Sequence, residues 1–576
     1  MILRKITFGQ ALIGLAFLLA FGLRFFQIGN IPLSDGEANQ AMQALNLANG
    51  NQPQIGSQPG YVIPTSALFF VFGSSEFFAR FWPAIFGSLL VLAPYLFREK
   101  LGKYAVIVLA FGLAIDPGLV AVSRQASGNM IVLCSFMLAA GFHSLRKPAL
   151  AGIFLAIAFL NGTNLWIGLL PIGIVLLLHR LFPPQKQSQD ELPNHLSEEA
   201  VGEYPVKSYW RAAILWGAGI LILVGTMFFM VPPGLSAAFT SIPEYLRGWV
   251  EPNGVYIIQF ILGILISSPL ALVFGLVEAI QGFRERDRLD GLLFLWWIIG
   301  LIVSLLYPSH QVVDIAWIQV PIWALAARQL VRHRAIFGEH RMIILGYGIL
   351  VIVFLIFTWL NVTGLTNPAM GNVEIPIRWL GILGSMVILV FITILVVWSW
   401  SQWVAGSGLS LGIGCLLLFA TLATGWRSAG LTNTPDAELW RISPMIAESD
   451  LLVRTIGDVS EANTGRRDFI DIFILNVDSP ALKWTLRNDR NVTYNTILTK
   501  DSSPSLVITD ETQQPDLQSV YSGQDFVWQQ YPSWSLVAPA EWLRWVIYRE
   551  IPKEKQGLIL WVRQDLFPAA TGIINQ

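Results

Sequence analysis

The 576-residue chain is 54% hydrophobic and 13% charged, with a mean hydropathy of +0.57, which excludes an ordinary soluble protein. A formal net charge of -1 offers no basic field for nucleic acid. Cys134 and Cys415, the two cysteines, both sit inside apolar runs, so no disulfide framework holds the fold.

The first apolar run, residues 7–28, follows MILRK. It is too long for the core of a cleaved leader and lacks a small-x-small site, so it reads as a retained transmembrane helix. Next comes GNIPLSDGEANQAMQAL, residues 29–45. Ser34 and Glu37 fit a capping box opening a helix that runs to about Gly50. A cap needs only one carboxylate, and the chain has no Lys or Arg between Arg24 and Arg80, so Asp35 is left for another task. The apolar segment 60–73, GYVIPTSALFFVFG, suits a position along the membrane interface.

Further spans are expected near 77–97, 104–122, 128–145, 149–180 (two passes broken at NGTN), 212–231, 255–280, 291–307, 312–330, 342–361, 376–399 and 409–425. With the first run they make thirteen. Loops assigned to the inside then carry eighteen Lys and Arg, against five outside: Arg24, Arg80, Arg124, Arg247 and Arg378. That asymmetry predicts an inner N-terminus and an outer C-terminus. The polar, proline-punctuated stretch 183–207 reads as an inner linker. From residue 426 onward the composition is that of a soluble domain. FIDIFILN, NVTYN and PSLVITD alternate there with helical ESDLLVRTIGDVS and SPALKWTLRND, the last with Ser479 as N-cap, and this predicts a small outer α/β domain over 426–576.

Charges at the outer rim are the candidate chemistry, because a charge within a span is costly. Arg80 opens the second span, and Asp116 and Arg124 close the third. Each has a plain alternative: the arginines snorkel to headgroups, and Asp116 ends a helix before Pro117. His310 and Tyr307 stand at a short outer turn in LLYPSHQVVDIAW, and Arg247 stands beside Trp249 in the loop 232–256. Interfacial aromatics are the usual reading there; contact to a lipid phosphate is the functional one.

The order of these landmarks resembles the GT-C glycosyltransferases: a first span, an acidic outer loop at 30–75, ARFWPAIFGSLL opening span two and DPGLVAVSRQASG closing span three. The likeness covers about residues 1–180 and is greatest to the protein O-mannosyltransferase and aminoarabinose-transferase branch. It implies an all-α polytopic membrane domain over 1–425 with the outer α/β domain appended. It also implies an enzyme of the cell membrane that moves a sugar from a polyprenyl-phosphate donor to a protein, lipid or glycan hydroxyl on the extracytoplasmic face, with inversion.

On this resemblance Asp35 is the base, Glu37 supports it or binds a divalent metal with it, and Asp116 orients. Arg80, Arg124, Arg247, Tyr307 and His310 are the groups expected to hold the lipid phosphate or order the outer loops. Two departures stand out: Asn129 lies where relatives carry an acid, and the acidic pair is spaced Asp-Gly-Glu rather than adjacent. No WWDYG-like segment is present, against an oligosaccharyltransferase. The rival readings are a transporter or lipid flippase, and a degenerate binding or assembly protein of this architecture. A conduit needs ionisable groups near mid-span, whereas the charges here gather at one face.

Overall fold

The computed structural model describes residues 7–567 apart from 52–53, 182–205, 333–339, 367–373, 433–437, 441–442, 499–502, 516–518, 535–536 and 538. The expected linker 183–207 therefore lies almost wholly outside the described residues. Every one of the thirteen apolar runs is helical. Among the described residues, eight helices are long and apolar enough to cross a membrane, or ten if each of two bent pairs is one span. The other three runs are the short helices Asn129–Ser144 and Pro148–Phe159, and the helix Ile315–Arg332. Ile315–Arg332 is buried almost throughout and carries Gln319 and Gln329. A helix wrapped in protein does not need the hydropathy of one facing lipid.

Proline causes both bends. Lys103–Ile115 and Pro117–Ser123 meet at 56°, and Ile257–Ser267 and Pro269–Glu285 at 84°. A proline has no N–H to give and clashes with the preceding turn, so carbonyls are freed at each break. Arg24 satisfies those at the first: its guanidinium donates to the carbonyls of Leu113 (3.1 Å) and Ala114 (3.0 Å) and to Ser123 Oγ (3.0 Å). Asp116 caps the continuation by accepting from Leu119 N at 2.8 Å. It also accepts from Trp323 Nε1 at 2.7 Å and from the Ser268 hydroxyl at the second break. Arg24 and Asp116 are both fully buried, so these two rim charges belong to the hinge between the broken spans.

The C-terminal region folds into a six-stranded sheet: β1 (Met445–Ile446), β2 (Asp471–Leu475), β3 (Asn491–Asn495), β4 (Leu506–Asp510), β5 (Tyr521–Pro532) and β6 (Lys553–Arg563), in the order β1-β5-β6-β4-β2-β3. β2 pairs in parallel with β3 and β4, and the long β5–β6 pair is antiparallel. Helices Ser449–Thr464 and Pro480–Thr485 cover it, with Ser479 capping the second through Leu482 N at 3.2 Å.

This sheet region is joined to the first loop by a shared core. Ala38, Ala41 and Ala44 form a small-residue face on helix Asp35–Ala48, which packs against Pro480–Thr485. Their apolar cluster runs on through Tyr61 and Phe69 to Trp484, Ile472 and Leu560. Polar contacts reinforce the joint: Trp484 Nε1 donates to Glu76 Oε1 at 2.8 Å, and Arg487 Nε to Ser74 Oγ at 3.1 Å. The acidic loop and the sheet region therefore lie at the same end of the helical bundle.

Candidate functional site

The opening motif forms as its spacing predicts. Helix Asp35–Ala48 starts after Ser34, and the Glu37 carboxylate accepts from Ser34 N at 3.2 Å. Gly36 lies where a Cβ would stand 2.9 Å from Ser443 Oγ, so the glycine between the acids lets the segment after the last span approach.

The two carboxylates diverge from there. Asp35 faces the sheet region: Oδ1 accepts from Ser479 Oγ at 2.6 Å and Ala481 N at 2.9 Å, and Oδ2 accepts from Gln529 Nε2. It thus helps cap helix Pro480–Thr485. Glu37 faces the bundle, paired bidentately with Arg80 (Nε–Oε1 2.8 Å, Nη2–Oε2 2.9 Å) and accepting from Ala126 N at 2.9 Å. Burial pushes the Glu37 carboxyl up, but the Arg80 charge and hydrogen bonds, with the Ala126 and Ser34 N–H groups, outweigh it and hold the pKa down to about 2.

Arg80 also donates to the carbonyls of Ile28 (3.0 Å), Ile31 (2.7 Å) and Pro32 (3.1 Å). With Glu37 this engages all five of its N–H donors. Arg124 Nη1 donates to Leu23, Arg24 and Phe26 carbonyls at 3.1, 3.0 and 2.8 Å, closing the C-terminus of the first helix. Of the two roles expected for these arginines, phosphate binding or loop ordering, this geometry supports the second. Asp35 and Glu37 turn their oxygens to different partners, Asp35 to the sheet region and Glu37 to Arg80 and Ala126. Among the described residues no group of three His, Cys, Asp or Glu side chains is placed to hold a metal.

Two openings meet beside this frame. A covered cavity of about 230 Å³ is lined by Glu37, Gln40, Arg80, Arg124 and Ser127, with Arg427 from the end of the last span and Glu438 and Trp440 from the segment after it. An open cleft of about 340 Å³ is lined by Asn164, Glu244, Arg247, Tyr307, Gln311 and Asp314. Gln58 and Asn129 line both. Gln58 Oε1 accepts from Gly128 N at 2.9 Å, which fixes the partition between them.

In the open cleft the charges are less engaged. The Arg247 side chain is 69% exposed, with Glu251 4.0 Å away. Tyr307 stacks on Tyr245 and meets Trp249 edge-on, both at 5.3 Å, and its hydroxyl occupies the space a Cβ on Gly248 would need. Buried Asp314 accepts from Gln311 N at 2.8 Å and Asn164 Nδ2 at 3.3 Å, and Asn164 in turn accepts from Trp317 Nε1 at 2.6 Å. His310 is only 5% exposed, with Nδ1 2.8 Å from the Tyr307 carbonyl and its ring edge-on to Phe260. It packs in the interior rather than lying at the membrane surface.

Of the expected site residues, the structure gathers Glu37, Arg80 and Arg124 around the covered cavity and Arg247 and Tyr307 around the open cleft. Asp35, Asp116 and His310 are held by the partners described above. Sequence reasoning missed Gln58, Asn164, Asp314 as a cleft residue, and the trio Arg427, Glu438 and Trp440. The signal for Asn164 is present in NGTN, the polar break between two apolar passes. Arg427 ends the last span, Glu438 and Trp440 follow it, and the three carry no local pattern.

No protein-family model matches the chain, and no curated protein matches it. Solved structures do. The crystal structure of ArnT from Cupriavidus metallidurans bound to undecaprenyl phosphate superposes with a TM-score of 0.53 at 14% identity, covering 96% of this chain and 98% of that one. The same protein in the apo state gives 0.50 at 13% identity, covering 96% and 97%. Over almost its whole length, the chain shares with ArnT one fold, a helical bundle with a C-terminal sheet region.

Proposed function

We propose that the chain is a transferase of the cell membrane that moves a sugar from a polyprenyl-phosphate carrier to an acceptor hydroxyl on the extracytoplasmic face. Its N-terminus would be cytoplasmic, and residues 426–576 would form the outer domain. The observation that carries this reading is the open cleft. An exposed arginine and an aromatic cluster stand at the end of the bundle where lysine and arginine are scarce, in the fold of a protein solved with undecaprenyl phosphate bound.

The chemistry follows from the leaving group. A polyprenyl phosphate departs with its charge and needs that charge held more than it needs a proton. Arg247 supplies a permanent cation with donors open to solvent, and Tyr307 stands beside it. The bond from the sugar's anomeric carbon to the phosphate oxygen breaks as the acceptor oxygen bonds from the opposite face. A carboxylate takes the acceptor's proton. Asp314 is our candidate for that carboxylate, because it lines the cleft and accepts from two partners where an ionised carboxylate has room for about four. Asp35, the base expected from sequence, is the rival; its three partners all belong to the sheet region.

The test is to incubate the purified protein with a panel of polyprenyl-phosphate sugars and acceptors and follow release of polyprenyl phosphate. Turnover that falls at least a hundredfold in Arg247→Ala and Asp314→Asn supports the proposal. No turnover with any donor, with carrier binding retained, favours the binding-protein reading instead.

A further inference from the structure

We propose that an apolar cavity at the end of the bundle opposite the cleft holds one acyl chain of an anionic phospholipid, with Lys100 taking the headgroup. The inference is independent of the transferase reading above.

The cavity, of about 400 Å³, lies among helices Glu76–Leu90, Lys103–Ile115, Asn129–Ser144, Asn164–Leu181, Arg288–Leu306 and Ile315–Arg332. Its deep wall is made by Leu109, Leu113, Met137 and Val320, all buried. Lys100 is the one charged residue that lines it, and every other lining residue is apolar or aromatic. Packed interiors leave few voids larger than a water, and water needs polar partners that this wall lacks. Left empty, the wall forfeits its dispersion contacts on one side. The bilayer supplies one filler of matching chemistry, a hydrocarbon chain. The volume equals about thirteen waters at ~30 Å³ each, and a methylene is about the size of a water, so one acyl chain matches it. Leu176 on the rim is 62% exposed, so the cavity is open to lipid at the side.

The rim decides which lipid. Lys100 is exposed and enters no ion pair among the described residues. It stands in REKLGK, residues 98–103, where three cations face one acid, Glu99. Arg98 lies over the Tyr95 ring and donates to its hydroxyl at 2.7 Å, which leaves Lys100 as the cation beside the mouth. A lysine laying its stem along apolar surface with its ammonium at the headgroup level is the arrangement that attracts a lipid phosphate.

Position separates this lipid from the carrier. Helix Asn164–Leu181 begins in the cleft with Asn164 and reaches the cavity at Ile172, Val175 and Leu176. Helix Arg288–Leu306 runs the other way, from Leu289 at the cavity to Tyr307 in the cleft. About 16 Å of helix separate Trp296, on the cavity wall, from Tyr307. A carrier whose phosphate sits at Arg247 has its head in the opposite leaflet, and its tail would leave Lys100 without a counter-charge.

The experiment uses the full-length protein in detergent and phosphatidylglycerol bearing a photoreactive diazirine on one acyl chain, with phosphatidylcholine of the same chains for comparison. Saturable labelling that maps to residues 136–140, 172–176 or 289–296 is expected, at a concentration at least fivefold lower for phosphatidylglycerol. Lys100→Gln should bring the two lipids within twofold of each other without changing phosphatidylcholine labelling. Ala140→Phe fills the cavity and should cut labelling of these segments by both lipids at least fivefold; if that variant fails to fold, Lys100→Gln decides alone. Labelling that never saturates, or that falls equally on the lipid-facing helix Glu374–Ser399, would reduce the site to ordinary bilayer contact and overturn the proposal. So would a headgroup preference that is absent or survives Lys100→Gln, or loss of the label to an equal concentration of undecaprenyl phosphate.

Discussion

The first loop and the 244–314 cleft carry the same kinds of residue, acids and arginines at the end of a span, yet they use them differently. Around the loop, Arg80 engages five acceptors, Arg124 closes a helix, Glu37 takes five hydrogen bonds from Arg80, Ala126 and Ser34, and Asp35 holds the sheet region. In the cleft, Arg247 points into solvent and Asp314 keeps acceptor capacity. A charge in a membrane protein is therefore informative only once its partners are counted. A saturated ion pair marks a joint, and an open one beside a cleft leaves a charge available to a ligand.

Breaking the joint should have the largest effect. Arg80→Ala leaves Glu37 charged and buried without its partner, which costs about 3–5 kcal/mol. Thermal unfolding in detergent should show a fall large enough to deplete the folded protein, whereas Arg247→Ala should unfold as the parent does. A comparable fall in both would erase the distinction between the regions.

Acid probes the same joint. Glu37 has its carboxyl lowered from 4.5 to about 2 on folding, so its contribution is complete above pH 4.5 and declines as pH falls from there through about 2. The size is about 3 kcal/mol at the full shift, and in Glu37→Gln that part of the acid dependence should vanish. An unchanged stability profile between pH 5 and 2 in the variant would show that Glu37 is not held as an ionised partner.

Asp35→Asn sharpens the comparison further. An amide keeps one acceptor for Ser479 and Ala481 but turns an N–H toward Gln529, so a docking residue should lose about 1–2 kcal/mol and retain turnover within about tenfold. Abolished turnover at an unchanged melting temperature would return the base role to Asp35. The smallest effect is expected for Glu251→Gln, an exposed neighbour of Arg247 at 4.0 Å, whose stability should stay within about 0.5 kcal/mol of the parent.

Much of the fold was legible because its signals are local. Apolar runs, a capping box and alternation of short strands each depend on residues near in sequence, and all thirteen runs and the strands at 471–475, 491–495 and 506–510 appear where expected. The long strands Tyr521–Pro532 and Lys553–Arg563 were less visible. YSGQDFVWQQYP mixes glycine and amides into its alternation, and its pairing with β6 supplies what its propensity lacks. The candidate site was legible as a set of charges at span ends but not as partnerships. That Asp35 would meet Ser479 and Gln529, more than 440 residues away, has no local trace. Nor does the burial of His310, which a short polar turn disguised.

The account turns on where the carrier's phosphate is held. Equilibrium binding of undecaprenyl phosphate to the purified protein, compared with Arg247→Ala, measures this directly. We expect saturable binding in the parent and at least a tenfold loss in the variant at unchanged melting temperature; binding that survives Arg247→Ala undiminished would contradict it.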